Sequence, residues 1–337
     1  MAPSAIIFGC TGTRLGPEEA AFFRDADPWG FILFARNIES PGQLRALTGA
    51  LRETVGRNAP VLIDQEGGRV ARMGAPWWIT WKPVRELCET IDDEALLQSA
   101  LTLRYRLIAQ ELRAVGIDVN CVPLLDVATP DSHPVIANRM LGDDPRAVAA
   151  RGRAVANGTL AGGVVPVIKH IPGHGRAAQD THLGLPVLTT PRAELEARDF
   201  HPFRMLADLP VAMTAHIVFA ALDAERCATQ SPAVIAAIRD EIGFDGLLLT
   251  DDISMGALAG GPAERAGAAL AAGVDAVLHC NGDLAEMTAI MTAVPRLEGA
   301  GLVRALRAEA SRRAAEPVDV PEALSRYASM GGKVCHA

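Results

Sequence analysis

No stretch of about 18 uncharged apolar residues occurs in the chain, so no membrane span is expected. The opening residues, MAPSAIIFGCTG, lack a basic run and carry too short an apolar run for a secretory leader. The six cysteines show no C-x-x-C and no zinc-ribbon spacing. Three of them, Cys10, Cys121 and Cys280, sit in apolar runs, where a thiol behaves as a small hydrophobe. That usage fits a reducing compartment, and a cytoplasmic location is expected. Positive charge is also in deficit: 32 Lys and Arg face 40 Asp and Glu, for a formal net charge of −8. A nucleic-acid backbone or an anionic membrane is therefore a poor main partner. Any anionic substrate would need local arginine or lysine. Missing, too, is the third glycine of a dinucleotide fingerprint, since Phe8-Gly9-Cys10-Thr11-Gly12-Thr13 carries only two. There is no internal repeat and no low-complexity linker. One domain over 1–337 is expected, with a polar, loosely held tail from about residue 317.

What is present alternates. Eight short apolar runs, at 5–9, 30–35, 60–64, 117–124, 164–168, 211–215, 246–250 and 276–279, read as strands. Most are near-continuous Val/Ile/Leu, as in parallel strands buried on both faces. Helix signals lie between them. Ser40-Pro41 reads as N-cap and first turn, and Gly56 as the stop. Leu97, Leu101, Tyr105, Ile108, Leu112 and Val115 form one apolar stripe. Ser231-Pro232 opens a helix that stops at Gly243. Thr190-Pro191 and Gly261-Pro262 open two more, and an Ala-rich run before Gly162 makes another. The pattern predicts a single (β/α)8 TIM barrel with some strands irregular; an open doubly wound sheet is the runner-up.

A barrel puts its chemistry at the C-terminal ends of its strands. Polar residues gather there after seven of the eight runs: Arg36-Asn37, Asp64-Gln65-Glu66, Asp126, Lys169-His170, His216, Asp251-Asp252 and Asn281. The densest cluster is VVPVIKHIPGHGRAAQDTH at 164–182. Its His170, His174 and His182 with Asp180 could ligate a metal, but H-x3-H-x7-H matches no zinc helix spacing and Pro172-Gly173 precludes one helix across the first pair. An acid/base reading is stronger: Asp180 could hold one nitrogen of His182 and leave the other basic near neutrality. Lys169 could form a Schiff base, although neighbouring Asp and His favour a charged, hydrogen-bond-donating lysine. Carboxylates such as Asp64 can bind sugar hydroxyls in pairs, and Arg72 offers a fork of donors. Asp251 and Asp252 should point to opposite faces, leaving one to aim into the barrel mouth as a covalent nucleophile; a helix N-cap is the ordinary alternative. Asn138-Arg139, on a loop, would usually be surface.

Three motifs together carry a family resemblance. Lys169-His170-Ile171-Pro172-Gly173-His174-Gly175 with Asp180-Thr181-His182, Asp64-Gln65-Glu66-Gly67-Gly68-Arg69-Val70, and Leu248-Leu249-Thr250-Asp251-Asp252-Ile253-Ser254-Met255 resemble the signatures of glycoside hydrolase family three. Phe34-Ala35-Arg36-Asn37 adds to the likeness. Within that family the Asp-Thr-His dyad and one-domain length are similar to bacterial β-N-acetylglucosaminidases of cell-wall recycling. The resemblance implies a retaining mechanism, with Asp251 as nucleophile and His182, oriented by Asp180, as acid/base. It implies a sugar pocket of Asp64, Arg72, Arg139, Lys169 and His170. It implies muropeptide fragments, GlcNAc β-linked to 1,6-anhydro-N-acetylmuramic acid carrying a peptide, as substrate. Neither metal nor organic cofactor is implied, and a monomer is expected. Phosphorolysis, or a non-catalytic sugar-binding barrel, are the alternatives. The chain departs from the family pattern at Ile171 (usually Phe), Arg176 (usually Asp) and Met140-Leu141 (often Ser-Phe). The last two departures bear on the leaving-group side. With no glycine between Gly175 and Gly184, the acid/base loop should hinge near Gly173 and Gly175. His174 is expected to support that loop.

Overall fold

The computed structural model describes residues 1–177 and 184–335. Eight parallel strands close into a barrel: β1 Ser4–Gly9, β2 Pro28–Leu33, β3 Val61–Ile63, β4 Val119–Asn120, β5 Val165–Ile171, β6 Val211–Thr214, β7 Leu247–Asp252 and β8 Ala276–His279. Each pairs with its neighbours in sequence, and β1 closes on β8 through Ile6↔Val277 to Phe8↔His279. The strands are buried along almost their whole length, which is why they read as unbroken apolar runs. This is the (β/α)8 barrel that the alternation predicted.

The helices begin and end where their caps dictate. Pro41–Val55 starts at Ser40, whose hydroxyl accepts the Gln43 amide, and stops at Gly56 in a left-handed conformation (φ 64°). Glu94–Ala114 is capped by Asp93 and buries the Leu97–Leu112 stripe. Asp144 caps Pro145–Ala161, and Ser231 caps Pro232–Ala236. The helices Glu94–Ala114 and Pro145–Ala161 pack directly on each other, where Gly158 leaves no room for a side chain against the Thr102 backbone.

Four expectations change. The run 117–124 yields only a two-residue ladder, because Pro123 has no N–H to give; pairing resumes through Lys169 N–H to the Pro123 carbonyl and Leu125 N–H to the Lys169 carbonyl. Strand β5 does not end at Ile168 but carries Lys169 and His170 inside it, which burial permits because both find charged partners. Strand β7 likewise runs through Asp251 and Asp252. The tail is not loose. It forms the helix Val320–Ser329, whose buried Tyr327 meets Trp81 edge-on at 5.4 Å, and Val334–Cys335 pairs antiparallel with Thr80–Trp81. The buried Arg104 guanidinium also faces the Trp81 ring, at 5.4 Å.

Candidate active site

Directly after β3, Asp64 leads into a short antiparallel hairpin of Gln65–Gly67 and Val70–Ala71. Gln65 is the pin of this hairpin. Its side chain accepts the N–H groups of Arg72 and Met73 and donates to the Met73 carbonyl. Asn120, at the end of β4, exchanges two hydrogen bonds with the Gln65 backbone. Arg72 is thereby held beside Asp64, Nη2 to Oδ2 at 3.1 Å. The guanidinium also stands over the Phe34 ring at 5.2 Å.

From β5, Lys169 Nζ donates to Asp64 Oδ1 and forms an ion pair with Glu66 Oε1, each at 2.7 Å. Arg139 grips Glu66 with two parallel hydrogen bonds of 2.8 and 2.7 Å. Two carboxylates and three cations thus form one half-buried network. Burial alone would push the carboxyls of Asp64 and Glu66 up. Lys169 with Arg72 at the first, and Arg139 with Lys169 at the second, outweigh it and hold both below the usual carboxylate range. Burial would lower Lys169, but the same carboxylates raise it above the ordinary lysine range. A lysine held so firmly charged cannot present the free amine that a Schiff base needs.

His170, beside it, sends Nδ1 to Asp126 Oδ2 at 2.8 Å. Asp126 is wholly buried, and its Oδ1 accepts the backbone N–H groups of His170 and His174. The His174 ring lies 5.3 Å from that of His170. Burial and the nearby His170 lower His174 to about 4, so it is neutral near pH 7. The glycines on either side are tightly seated. A Cβ on Gly175 would collide with the Val127 carbonyl, and Gly173 (φ 141°) sits against Asp199. Both glycines are thus closely packed where the hinge is expected, Gly175 against backbone and Gly173 against the Asp199 side chain. Among the three departures, Arg176 pairs with Asp199 and Glu194, and Met140 and Leu141 are buried.

Asp251 and Asp252 both line the same cavity, against the expectation that only one would face it; the register between β7 and β8 shifts between Leu249 and Asp252. Their partners separate them. Asp252 is occupied by Ser254 Oγ, the Ser254 N–H and the Cys280 N–H. Among the described residues, Asp251 accepts only the N–H of Asp252. Burial would raise Asp251, but His170, His216, that N–H and Lys169 together hold it below the usual carboxylate range. His216 fixes the backbone here. Its Nε2 donates to the Asp252 carbonyl at 3.0 Å, and its Nδ1 faces the Thr229 hydroxyl at 2.8 Å.

The cavity measures about 350 Å³. Asp64, Arg72, Arg139, Lys169, His170 and Asp251 all line it. The two other expected site residues, Asp180 and His182, lie outside the described residues. Arg72 Nε and His174 Nδ1 are buried without a hydrogen-bond partner among the described residues, so the site keeps polar capacity for a ligand. Glu66, Asp126 and His216 were visible in the sequence as strand-end polar residues but carried no assigned role. The signal for Glu66 was its place two residues beyond Asp64.

A closed parallel barrel with an ionised carboxylate and a basic, hydrogen-bonding pocket at the C-terminal ends of its strands is a TIM-barrel enzyme site. The family described as the glycosyl hydrolase family 3 N-terminal domain matches residues 15–313, and the chain belongs to that family. It is similar to the beta-hexosaminidase of Methylococcus capsulatus (38% identical, covering 91% of each chain) and to that of Alkalilimnicola ehrlichii (39% identical, covering 82% of this chain and 80% of the relative). The crystal structure of NagZ from Neisseria gonorrhoeae in complex with N-trifluoroacetyl-D-glucosamine superposes with a TM-score of 0.88, at 29% identity over 98% of both chains.

Proposed function

We propose that this protein is a retaining exo-β-N-acetylglucosaminidase that removes terminal β-linked GlcNAc from peptidoglycan fragments of the GlcNAc-1,6-anhydro-MurNAc-peptide kind. The glycosidase class follows from the family, and β-N-acetylhexosaminidase activity from relatives of that name. The observation that carries the reading to named residues is the position of Asp251. It lines the same cavity as Asp64, Arg72, Lys169 and His170, ionised and with one oxygen unclaimed by the described residues.

In this reading the sugar sits in the deep end. The network of Asp64, Arg72 and Lys169, with His170 and Arg139 beside it, binds hydroxyls and the acetamido group. Asp251 attacks the anomeric carbon, the glycosidic bond breaks, and a covalent glycosyl-enzyme forms. His182, oriented by Asp180, gives its proton to the leaving oxygen. It then takes a proton from the water that cleaves the ester to Asp251, and the product keeps the β configuration. An imidazole replaces the second carboxylate of most retaining glycosidases. We place the enzyme in the cytoplasm and read it as a monomer; the six unpaired cysteines support the compartment.

A chromogenic N-acetyl-β-glucosaminide tests the activity. Release of the chromophore by the purified protein is expected. No release, with turnover of a β-glucoside instead, would overturn the substrate assignment. Phosphate-dependent formation of a sugar 1-phosphate would convert the reading to a phosphorylase.

A further inference from the structure

The cations that line the cavity are not equivalent. Lys169 pairs with Asp64 and Glu66, Arg72 with Asp64, and Arg139 with Glu66. Arg69 lines the same cavity, is exposed, and makes no hydrogen bond or ion pair with any described residue. It stands on the hairpin turn after Gly67 and Gly68, both at positive φ (96° and 63°). That turn is rigid. A Cβ on Gly68 would approach the Pro83 backbone to 2.9 Å, the Gly68 N–H is bonded to the Trp81 carbonyl at 2.9 Å, and a Cβ on Gly67 would strike the Arg104 guanidinium. The backbone of Arg69 is thus fixed while its charge is unspent. Lys169 and His170 are buried, so Arg69 belongs to the open rim, where the leaving group must extend. The whole chain carries a net charge of −8, a background that repels anions.

We propose that Arg69 is a specificity-determining residue that binds a carboxylate on the leaving group and so favours acidic over neutral leaving groups. This rests on the glycosidase reading of the cavity above. Two sources of that carboxylate exist. It can be the lactyl ether acid of the leaving sugar, or, where that acid is amidated, a carboxylate of the attached peptide.

The test compares kcat/KM for GlcNAc β-linked to four leaving groups: a lactyl-ether sugar acid, its methyl ester, the acid amidated by a peptide with free carboxylates, and a neutral sugar. Wild type is expected to favour the acid over its ester by about tenfold, the scale of one charge-assisted contact. The preference should shrink in 1 M salt, where the screening length falls to about 3 Å. In Arg69→Gln the acid-to-ester ratio should collapse towards one, and Arg69→Lys should restore part of it. A preference confined to the lactyl acid locates the contact on the sugar; one confined to the peptide acid locates it on the peptide. Equal rates for all four leaving groups in wild type, with no preference for either acid, would overturn the inference without recourse to any variant. So would a ratio unchanged in Arg69→Gln. If wild type cleaves none of the four, the functional reading itself falls, and this inference with it.

Discussion

The Nδ1 of His170 lies 2.8 Å from a carboxylate oxygen of Asp126, and the other oxygen of that carboxylate holds the backbone N–H groups of His170 and His174. One buried side chain therefore fixes the orientation of a pocket-lining ring and the start of the segment beyond it. Removing it with Asp126→Ala strands three donors. We expect a loss of about 3 kcal/mol in urea unfolding, the scale of breaking a buried pair. Asp126→Asn keeps the shape and should lose less. Equal stability of Asp126→Ala and wild type would show that the contact contributes nothing.

The same logic applies to Lys169. Lys169→Met leaves Asp64 and Glu66 facing each other across an apolar chain. Stability should fall by about 3 kcal/mol or more, and KM for an N-acetyl-β-glucosaminide should rise. A variant as stable as wild type would mean that Arg72 and Arg139 suffice to neutralise both carboxylates.

The pH dependence of stability follows from three depressed carboxyls, Asp64, Glu66 and Asp126. Each binds its proton less readily in the native state than in the unfolded chain. Their contribution is therefore fully present above the unfolded values of about 4 and is lost as pH falls through the lower native values. Urea midpoints should be level from about pH 7 to 5 and drop below about pH 4. A midpoint that stays level to pH 2 would contradict the network.

Glycine substitutions separate clamped backbone from free backbone. Gly175→Ala drives a methyl into the Val127 carbonyl and should cost about 2 kcal/mol. Gly184→Ala meets nothing within 4 Å and should change stability by less than about 0.5 kcal/mol. If the two variants unfold alike, Gly175 is not an anchor.

The barrel was legible because parallel strands buried on both faces write themselves as apolar runs, and because Ser40, Gly56 and Ser231 mark helix ends by local chemistry alone. What was hidden has one cause. Lys169, His170, Asp251 and Asp252 are ionisable, so they looked like the loops after β5 and β7, while the partners that let them stay inside the strands come from residues up to 105 positions away. Glu66 was hidden for the same reason: a carboxylate in a Gly-rich hairpin looks solvated until Arg139 and Lys169 arrive. The polar tail misled because its most deeply buried large side chain, Tyr327, is one aromatic among charges. Tyr327→Ala should cost about 3 kcal/mol, against almost nothing for a loose tail.

The central claim is that Asp251 is the nucleophile of a retaining glycosidase. The most direct measurement is trapping with a fluorinated N-acetyl-β-glucosaminyl analogue whose glycosyl-enzyme breaks down slowly, followed by peptide mass mapping. The account predicts one sugar per chain, esterified to Asp251, and no adduct in Asp251→Asn. A label on any other residue, or turnover that yields the α anomer first with no adduct, would contradict it.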